Sequence, residues 1–334
     1  MLTRFNAAMN IDTAQIPRKE RVIALIPCYN TKKYIRRAVL SLLNQTRKID
    51  LIVILNDCST DGFESEVEDL LVQNDNLVIH NNPRNLGRSG CRNEGFDKFP
   101  ADYYILNDAD DESLPNRVEI SLQFMKEHRN CGAMGGFVEY IDAKGKVFGK
   151  GTQMYCFTED DARGLRESME PVGLFCSSVC IRGEVIQKDG FRFDTSLPAS
   201  EDIDMWNRIL EKGWDVMSCR YFLSRYRVHS ESICTAQFIF CKHHHMYVIE
   251  KLRRRRQSLP DIAYEEYYRQ LRSSGVWKWV KFEYPIYAEY FYRTGGAYLL
   301  NRRYVRGLAM LMASFVMKPS KIRRLLGQRF GWKV

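Results

Sequence analysis

The chain has 334 residues, 45% hydrophobic and 27% charged, enough for one large globular domain with an appendage or for two domains. Its charge is divided: from Gln237 onward 20 Lys and Arg face 6 Asp and Glu, a net of +14, while the rest of the chain carries 30 basic and 35 acidic residues. Ten scattered cysteines without a CxxC pair exclude a zinc ribbon and argue for free thiols in a reducing cytosol over a disulfide framework.

Met1 to Glu20 is polar and broken by Pro17, so no secretory leader is expected. Arg21 to Ile26 reads as a buried strand stopped by Pro27. Tyr34 to Asn44 follows with Ile35, Ala38, Val39, Leu42 and Leu43 at helical spacing. Leu51 to Leu55 is a second buried strand, ending in the polar loop Asn56 to Gly62. Glu64 to Asn74 reads as a helix, Leu77 to Ile79 as a third strand, Asn81 to Gly90 as a loop and Cys91 to Lys98 as a short helix. Tyr103 to Leu106 is the fourth strand, and it runs into Asn107-Asp108-Ala109-Asp110-Asp111. Pro115 opens another helix, at a position proline favours.

Strands alternating with helices predict an α/β fold with a mostly parallel sheet flanked by helices. Right-handed crossovers put the loops after strands one, two and four on one sheet edge. Pro27 to Tyr29, Asp57 and Asp108 to Asp110 then converge, although they are distant in sequence. Three close carboxylates repel one another unless something compensates. A hard divalent cation shared with substrate phosphates would do so, which points to phosphate chemistry with Mn²⁺ or Mg²⁺. The plainer reading is an acidic loop whose Asp caps the next helix. Convergence of the loops favours the ligand site.

From Gly132 to Ser232 the pattern is less regular. Gly135 to Ile141 and Lys146 to Phe148 form a hairpin pattern, and Phe175 to Ile181 reads as a strand. Asp202 to Gly213 reads as a helix with Ile203, Trp206, Ile209 and Leu210 on one face and Glu201 and Asp202 in its first turn. After Thr235 aromatics alternate with basic residues. Helices are expected over Gln237–Arg256, Tyr264–Arg272, Val305–Met317 and Ser320–Arg329. The longest late apolar run, Leu308 to Met317, is well short of the roughly 18 residues that span a bilayer.

Taken in order, these pieces resemble the family 2 glycosyltransferases of GT-A fold. The carriers are Ile26-Pro-Cys-Tyr-Asn30 with Ser41-Leu-Leu-Asn-Gln-Thr46, Asn56-Asp57-Cys-Ser-Thr-Asp-Gly62 and Asn85-Leu-Gly-Arg-Ser-Gly-Cys-Arg-Asn93. Asp108-Ala-Asp110 is similar to the family's DxD motif, and Glu201-Asp202 with Arg208 and Gly213 to its ED helix. The resemblance covers about Arg21 to Ser232. It departs from the family's usual pattern at Asn56, where an Asp is usual, and at Cys91, where an Ala is usual.

The resemblance implies sugar transfer from a nucleotide diphosphate donor, a UDP-sugar first, with inversion at the anomeric carbon. The acceptor would be a hydroxyl of a cell-surface glycan or a lipid-linked molecule. On the donor side Tyr29 would stack on the base beside Pro27, Asp57 would take its imino edge, and Asp108 would contact the ribose. Asp110 would anchor the Mn²⁺ or Mg²⁺, with His229 facing the metal or the diphosphate. Asp111 is expected to start a helix or support the site from behind. The implied domains are an N-terminal extension over 1–20, a catalytic domain over 21–232 and a helical basic region over 233–334. The catalytic domain divides into a nucleotide-binding half, 21–131, and an acceptor and catalytic half, 132–232.

An acceptor hydroxyl needs a base, and Asp202 is the choice, with Glu201 as its neighbour. Both could instead simply favour the positive end of a helix. Arg88 is placed against the nucleotide. Arg92, like Arg88, could neutralise phosphate or contact the base, and Arg182, Arg208 and Arg227 are equally placed by charge alone. His243, His244 and His245 are consecutive on a helix and cannot converge on one ion.

The basic tail, Arg253 to Arg256 and Lys318 to Lys333, with its Trp and Tyr residues, suits an anionic membrane surface. Packing on the catalytic domain or a homo-oligomer contact is the other reading. A cytoplasmic protein, peripheral at the inner face of the membrane, is therefore expected. Two competing functions fare less well. A nucleotidyltransferase would carry a Gly-rich basic loop where this chain has Pro27-Cys-Tyr-Asn30. A nucleic-acid-binding module would leave the carboxylates unexplained, so no nucleic acid partner is expected.

Overall fold

The computed structural model describes residues 20–152, 156–168, 170–229, 232, 236–300 and 304–317. The extension up to residue 19 and the tail after Met317, including the helix expected at Ser320–Arg329, lie outside the described residues.

Four apolar runs build the parallel part of the sheet: β1 (Val22–Cys28), β2 (Leu51–Asn56), β3 (Leu77–Asn81) and β4 (Tyr103–Leu106). Ile23, Leu25, Ile26, Ile52, Val53 and Ile54 are fully buried. Burial of each such side chain stabilises the fold by about 1.5–3 kcal/mol. Pro27 does not stop β1, which pairs with β2 as far as Cys28. The odd residues of β1 face β4, as the bond from Asn107 N–H to the Leu25 carbonyl shows. β4 has ended by the level of Pro27, so the missing proline N–H costs no ladder bond.

α1 (Ile35–Leu43), α2 (Glu68–Gln73) and α3 (Gly87–Lys98) make the crossovers. The helix expected at Glu64–Asn74 is broken at Val67, whose non-helical φ of −125° separates a 3-10 turn at Phe63–Glu66 from α2. The break lets Phe63 and Val67 both enter the core. α3 starts four residues earlier than its apolar pattern suggested. It packs close to the sheet at Gly95, where a Cβ would lie 2.8 Å from Leu55 and 3.0 Å from Leu25.

The second half of the sheet is mixed. It adds β5 (Glu112–Ser113), β6 (Cys131–Ile141), β7 (Val147–Gly151), β8 (Cys180–Arg182) and β9 (Asp215–Arg227). The strand order is β3-β2-β1-β4-β8-β6-β9-β5, with β7 hairpinned onto β6. β8 runs antiparallel to β4 and β6, whereas β6 and β9 are parallel. The helices here are α4 (Arg117–Glu127), α5 (Glu159–Glu167), α6 (Gly183–Gln187) and α7 (Glu201–Glu211). The strand expected over Phe175–Ile181 is half 3-10 turn, Cys176–Ser178. The reason lies in two serines: Ser178 Oγ donates to the Phe175 carbonyl, and Ser177 Oγ reaches away to two carboxylates. Side-chain bonds of this kind compete with a strand ladder.

After β9 the described residues are helical: α8 (Phe238–Arg256), α9 (Tyr264–Ser273), α10 (Val276–Leu300) and α11 (Tyr304–Met317). Tyr247 and Val248 of α8 join Ile262 and Leu197 in a small apolar cluster. Arg255 pairs with Asp204 at 2.9 Å and Glu211 at 3.0 Å on α7. α10 and α11 form a hairpin in which Ser314 Oγ donates to the Ala288 carbonyl at 2.6 Å. No helix among the described residues is long and apolar enough to cross a membrane.

Candidate active site

The carboxyl ends of β1, β2 and β4 open into a cavity of about 880 Å³. Pro27, Tyr29, Asp57, Arg88, Asp108, Asp110, Asp111 and His229 all line it. Tyr29 is exposed there, and the residue after it, Asn30, has a left-handed φ of 53°. Glu201 and Asp202 are not in that wall, but Glu201 is tied to it through two arginines.

Asp57 is buried and accepts from three of the chain's own donors. Its Oδ1 accepts from Leu86 N–H and Asn82 Nδ2, both at 2.8 Å, and its Oδ2 from Gly87 N–H at 2.9 Å. A carboxylate thus sits on the first free N–H groups of α3, where the helix end favours negative charge. This cap explains the early start of α3.

The cluster after β4 sends its three carboxylates to different partners. Asp108 takes Arg92 Nη2 at 2.6 Å and Ser177 Oγ at 3.1 Å. Burial opposes its charge, but Arg92 and Arg88 outweigh burial and hold its pKa below the usual carboxylate value. Asp110 meets His229 Nε2 at 2.9 Å. Asp111 accepts from Ser177 Oγ, and from Arg227 N–H at 2.7 Å. Burial first, then the neighbouring charges of Asp110 and Asp108, push the Asp111 pKa well above the usual range. Asp111 is therefore a scaffold group that holds the loop to the end of β9.

His229 is fixed by its surroundings. Its ring lies 4.9 Å from that of Tyr34, and the Arg227 guanidinium sits over the same tyrosine ring at 5.0 Å. Arg227 also donates to the Asp110 carbonyl at 2.7 Å and to Glu112 at 2.5 Å. His229 Nδ1 is buried without a partner among the described residues. Asp110 and His229 thus present a carboxylate oxygen and an imidazole nitrogen side by side on the cavity wall. That donor pair suits a divalent cation with oxygen and nitrogen ligands. No group of three or more His, Cys, Asp or Glu among the described residues forms a closed cage. A cation there would depend on phosphate and water oxygens for the rest of its shell.

Glu201 and Asp202 open α7 after Ser200, whose left-handed φ of 61° turns the chain sharply into the helix. Glu201 is buried and faces Arg92 Nη1 and Arg88 Nη2, each at 3.3 Å. Among the described residues Asp202 has one hydrogen bond, from Ile203 N–H at 2.8 Å. Burial, and then the Glu201 charge, raise its pKa to about 7. The adjacent carboxyls are thus differentiated: one neutralised by arginine, the other left as a near-neutral acid.

Arg92 is the residue that charge counting could not select. It is buried, lies over the Phe193 ring at 5.3 Å, and joins Asp108 to Glu201. Its spacing of four from Arg88 puts both on one face of α3, which was the available signal. Ser177 was also missed; two serines inside an apolar run were its only trace.

The model of the family described as Glycosyl transferase family 2 matches residues 23–176, which include every strand end that opens into the cavity from the parallel half. An uncharacterized glycosyltransferase of Methanocaldococcus jannaschii is 25% identical over 213 residues, 63% of this chain and 71% of its own. TuaG of Bacillus subtilis, a glycosyltransferase provisionally assigned to teichuronic acid biosynthesis, is 26% identical over 64% of this chain and 82% of its own. Among solved structures, residues 1–349 of S. aureus TarS in complex with UDP-GlcNAc superpose with a TM-score of 0.57 at 15% identity, covering 91% of this chain and 83% of that one. Residues 23–176 thus match the family 2 glycosyltransferases, and the relatives to which this chain is similar are named as glycosyltransferases.

Proposed function

We propose that the chain transfers a sugar from a nucleoside diphosphate donor, a UDP-sugar first, to a hydroxyl of a cell-surface glycan or lipid-linked acceptor, with inversion. The observation that carries this reading is the division of labour around one cavity. Asp108 and Asp110 stand on one side, and a carboxyl with a pKa near 7 stands behind the arginine bridge. The UDP and UDP-GlcNAc complexes of TarS support a nucleotide-sugar donor, and the TuaG assignment supports an envelope polysaccharide as the product class.

In this reading Tyr29 and Pro27 cover the base, the Asp57-capped start of α3 fixes the base loop, and Asp108 meets the ribose. Arg88 faces the phosphates. Asp110 and His229 would hold Mn²⁺ or Mg²⁺, which would supply positive charge against the departing diphosphate. Asp202 takes the proton of the acceptor hydroxyl as its oxygen bonds to the anomeric carbon. The carbon–oxygen bond to the diphosphate breaks, and its electron pair leaves with the phosphate.

Release of nucleoside diphosphate across a panel of sugar nucleotides, with and without Mn²⁺, tests the reading. A UDP-sugar is expected to turn over only with the cation. Asp110→Asn is expected to lose at least about a hundredfold in turnover while its thermal unfolding is unchanged. Cation-independent turnover, equal in wild type and Asp110→Asn, would remove both the metal and its anchor.

A further inference from the structure

α11 packs on α10 with Gly307 and Ser314, which are buried. A second face of the same helix has no partner among the described residues. Val305, Leu308, Met312 and Val316 recur at steps of three, four and four and are 84%, 55%, 66% and 77% exposed. Within the helix the only charge is Arg306, also exposed. An apolar stripe of this kind on a folded surface marks a contact site.

The charge around the stripe selects the occupant. From Thr294 to Val334 the chain has no acidic residue and nine Lys and Arg. The other basic cluster is already committed to the fold: Arg254 pairs with Glu250, Arg255 with Asp204 and Glu211, and Arg256 with Glu211. In the sequence, the unpartnered apolar face and the one-sided positive charge therefore adjoin. Apolar side chains that sink between headgroups, with flanking cations against anionic lipid, satisfy both at once.

We propose that the Val305–Leu308–Met312–Val316 face of α11 docks the protein on an anionic lipid surface, lying in the interface without crossing it. The inference does not rest on the donor chemistry proposed above. Co-sedimentation needs neither donor nor acceptor, so its failure would leave that reading intact.

The test uses the full chain with vesicles of phosphatidylglycerol or of phosphatidylcholine alone. Wild type is expected to bind the anionic vesicles, less at high salt, and to bind phosphatidylcholine weakly. Leu308→Gln with Met312→Gln is expected to lower affinity about tenfold or more, with unfolding temperature unchanged because both side chains are exposed. Arg306→Gln should lose less. Equal binding of the double variant and wild type overturns the proposal, as does absence of wild-type binding to phosphatidylglycerol. Light scattering covers a second copy as the occupant: a wild-type dimer that the double variant converts to monomer would assign the stripe to self-association and overturn the proposal. Hydrogen exchange covers the chain's own end. A double variant that sediments like wild type, yet loses exchange protection beyond Met317, would assign the stripe to that segment and overturn the proposal as well.

Discussion

Asp202 shows how one side chain can be prepared for its chemistry by its neighbours alone. With a pKa raised to about 7, it is mostly protonated at about pH 6 and mostly ionised at about pH 8. Only the ionised form can accept the hydroxyl proton, so turnover is expected to rise with pH through about 7 and then level off. Asp202→Asn should abolish that ascending limb and cut kcat by about a thousandfold. Nucleotide affinity, measured by calorimetry, should stay near wild type, because in the proposed reaction the carboxyl acts on the acceptor. A dead Glu201→Gln beside an active Asp202→Asn would reverse the assignment of the pair. At this scale the sequence disclosed the carboxylates, since strand ends in a parallel sheet share an edge. It could not disclose the partners of Arg92, nor Ser177 at all. Arg92 meets Glu201 across 109 residues and Ser177 meets Asp111 across 66, and such contacts leave no local pattern.

Among the elements, α3 depends most on a residue outside itself. Asp57→Asn keeps the shape but removes the charge at the helix start and sets an amide NH₂ against N–H donors. The expected cost is about 1–2 kcal/mol, read as a lower urea midpoint. Faster amide exchange should be confined to the first turn of α3. A global loss of exchange protection would mean that Asp57 supports the whole sheet. The strands of the parallel half were legible because each is a short apolar run closed by a polar loop. The start of α3 was not, because its cap lies 30 residues upstream, just past β2. The 3-10 turn at Cys176–Ser178 was hidden by its apolar flanks, since periodicity does not register where a hydroxyl prefers a distant carboxylate.

For the molecule as a whole, the basic run at the end of α8 joins the helical region to the α/β layers. Read as sequence, Arg253 to Arg256 is a cationic patch; in the fold, α7 presents the acids that engage Arg255 and Arg256. Sequence displays the charge but not the facing surface. Arg255→Gln leaves the buried Asp204 with Arg208 as its remaining ion-pair partner among the described residues. Because Arg255 is itself partly exposed, the expected loss is about 1–2 kcal/mol, measured by urea unfolding. An unchanged midpoint would mean that the α7–α8 junction is held by its apolar cluster alone. The Arg92 bridge bears on engineering. Donor and acceptor preferences invite exchange of the second half between relatives, as though the halves were interchangeable cartridges. Here one guanidinium belongs to both. A graft that keeps Arg92 but imports a neutral residue at position 201 would leave that buried cation with Asp108 but without its second carboxylate, and new specificity would arrive with a loss of stability. Successful recombination must therefore carry the arginine and its two carboxylates as a single inherited unit.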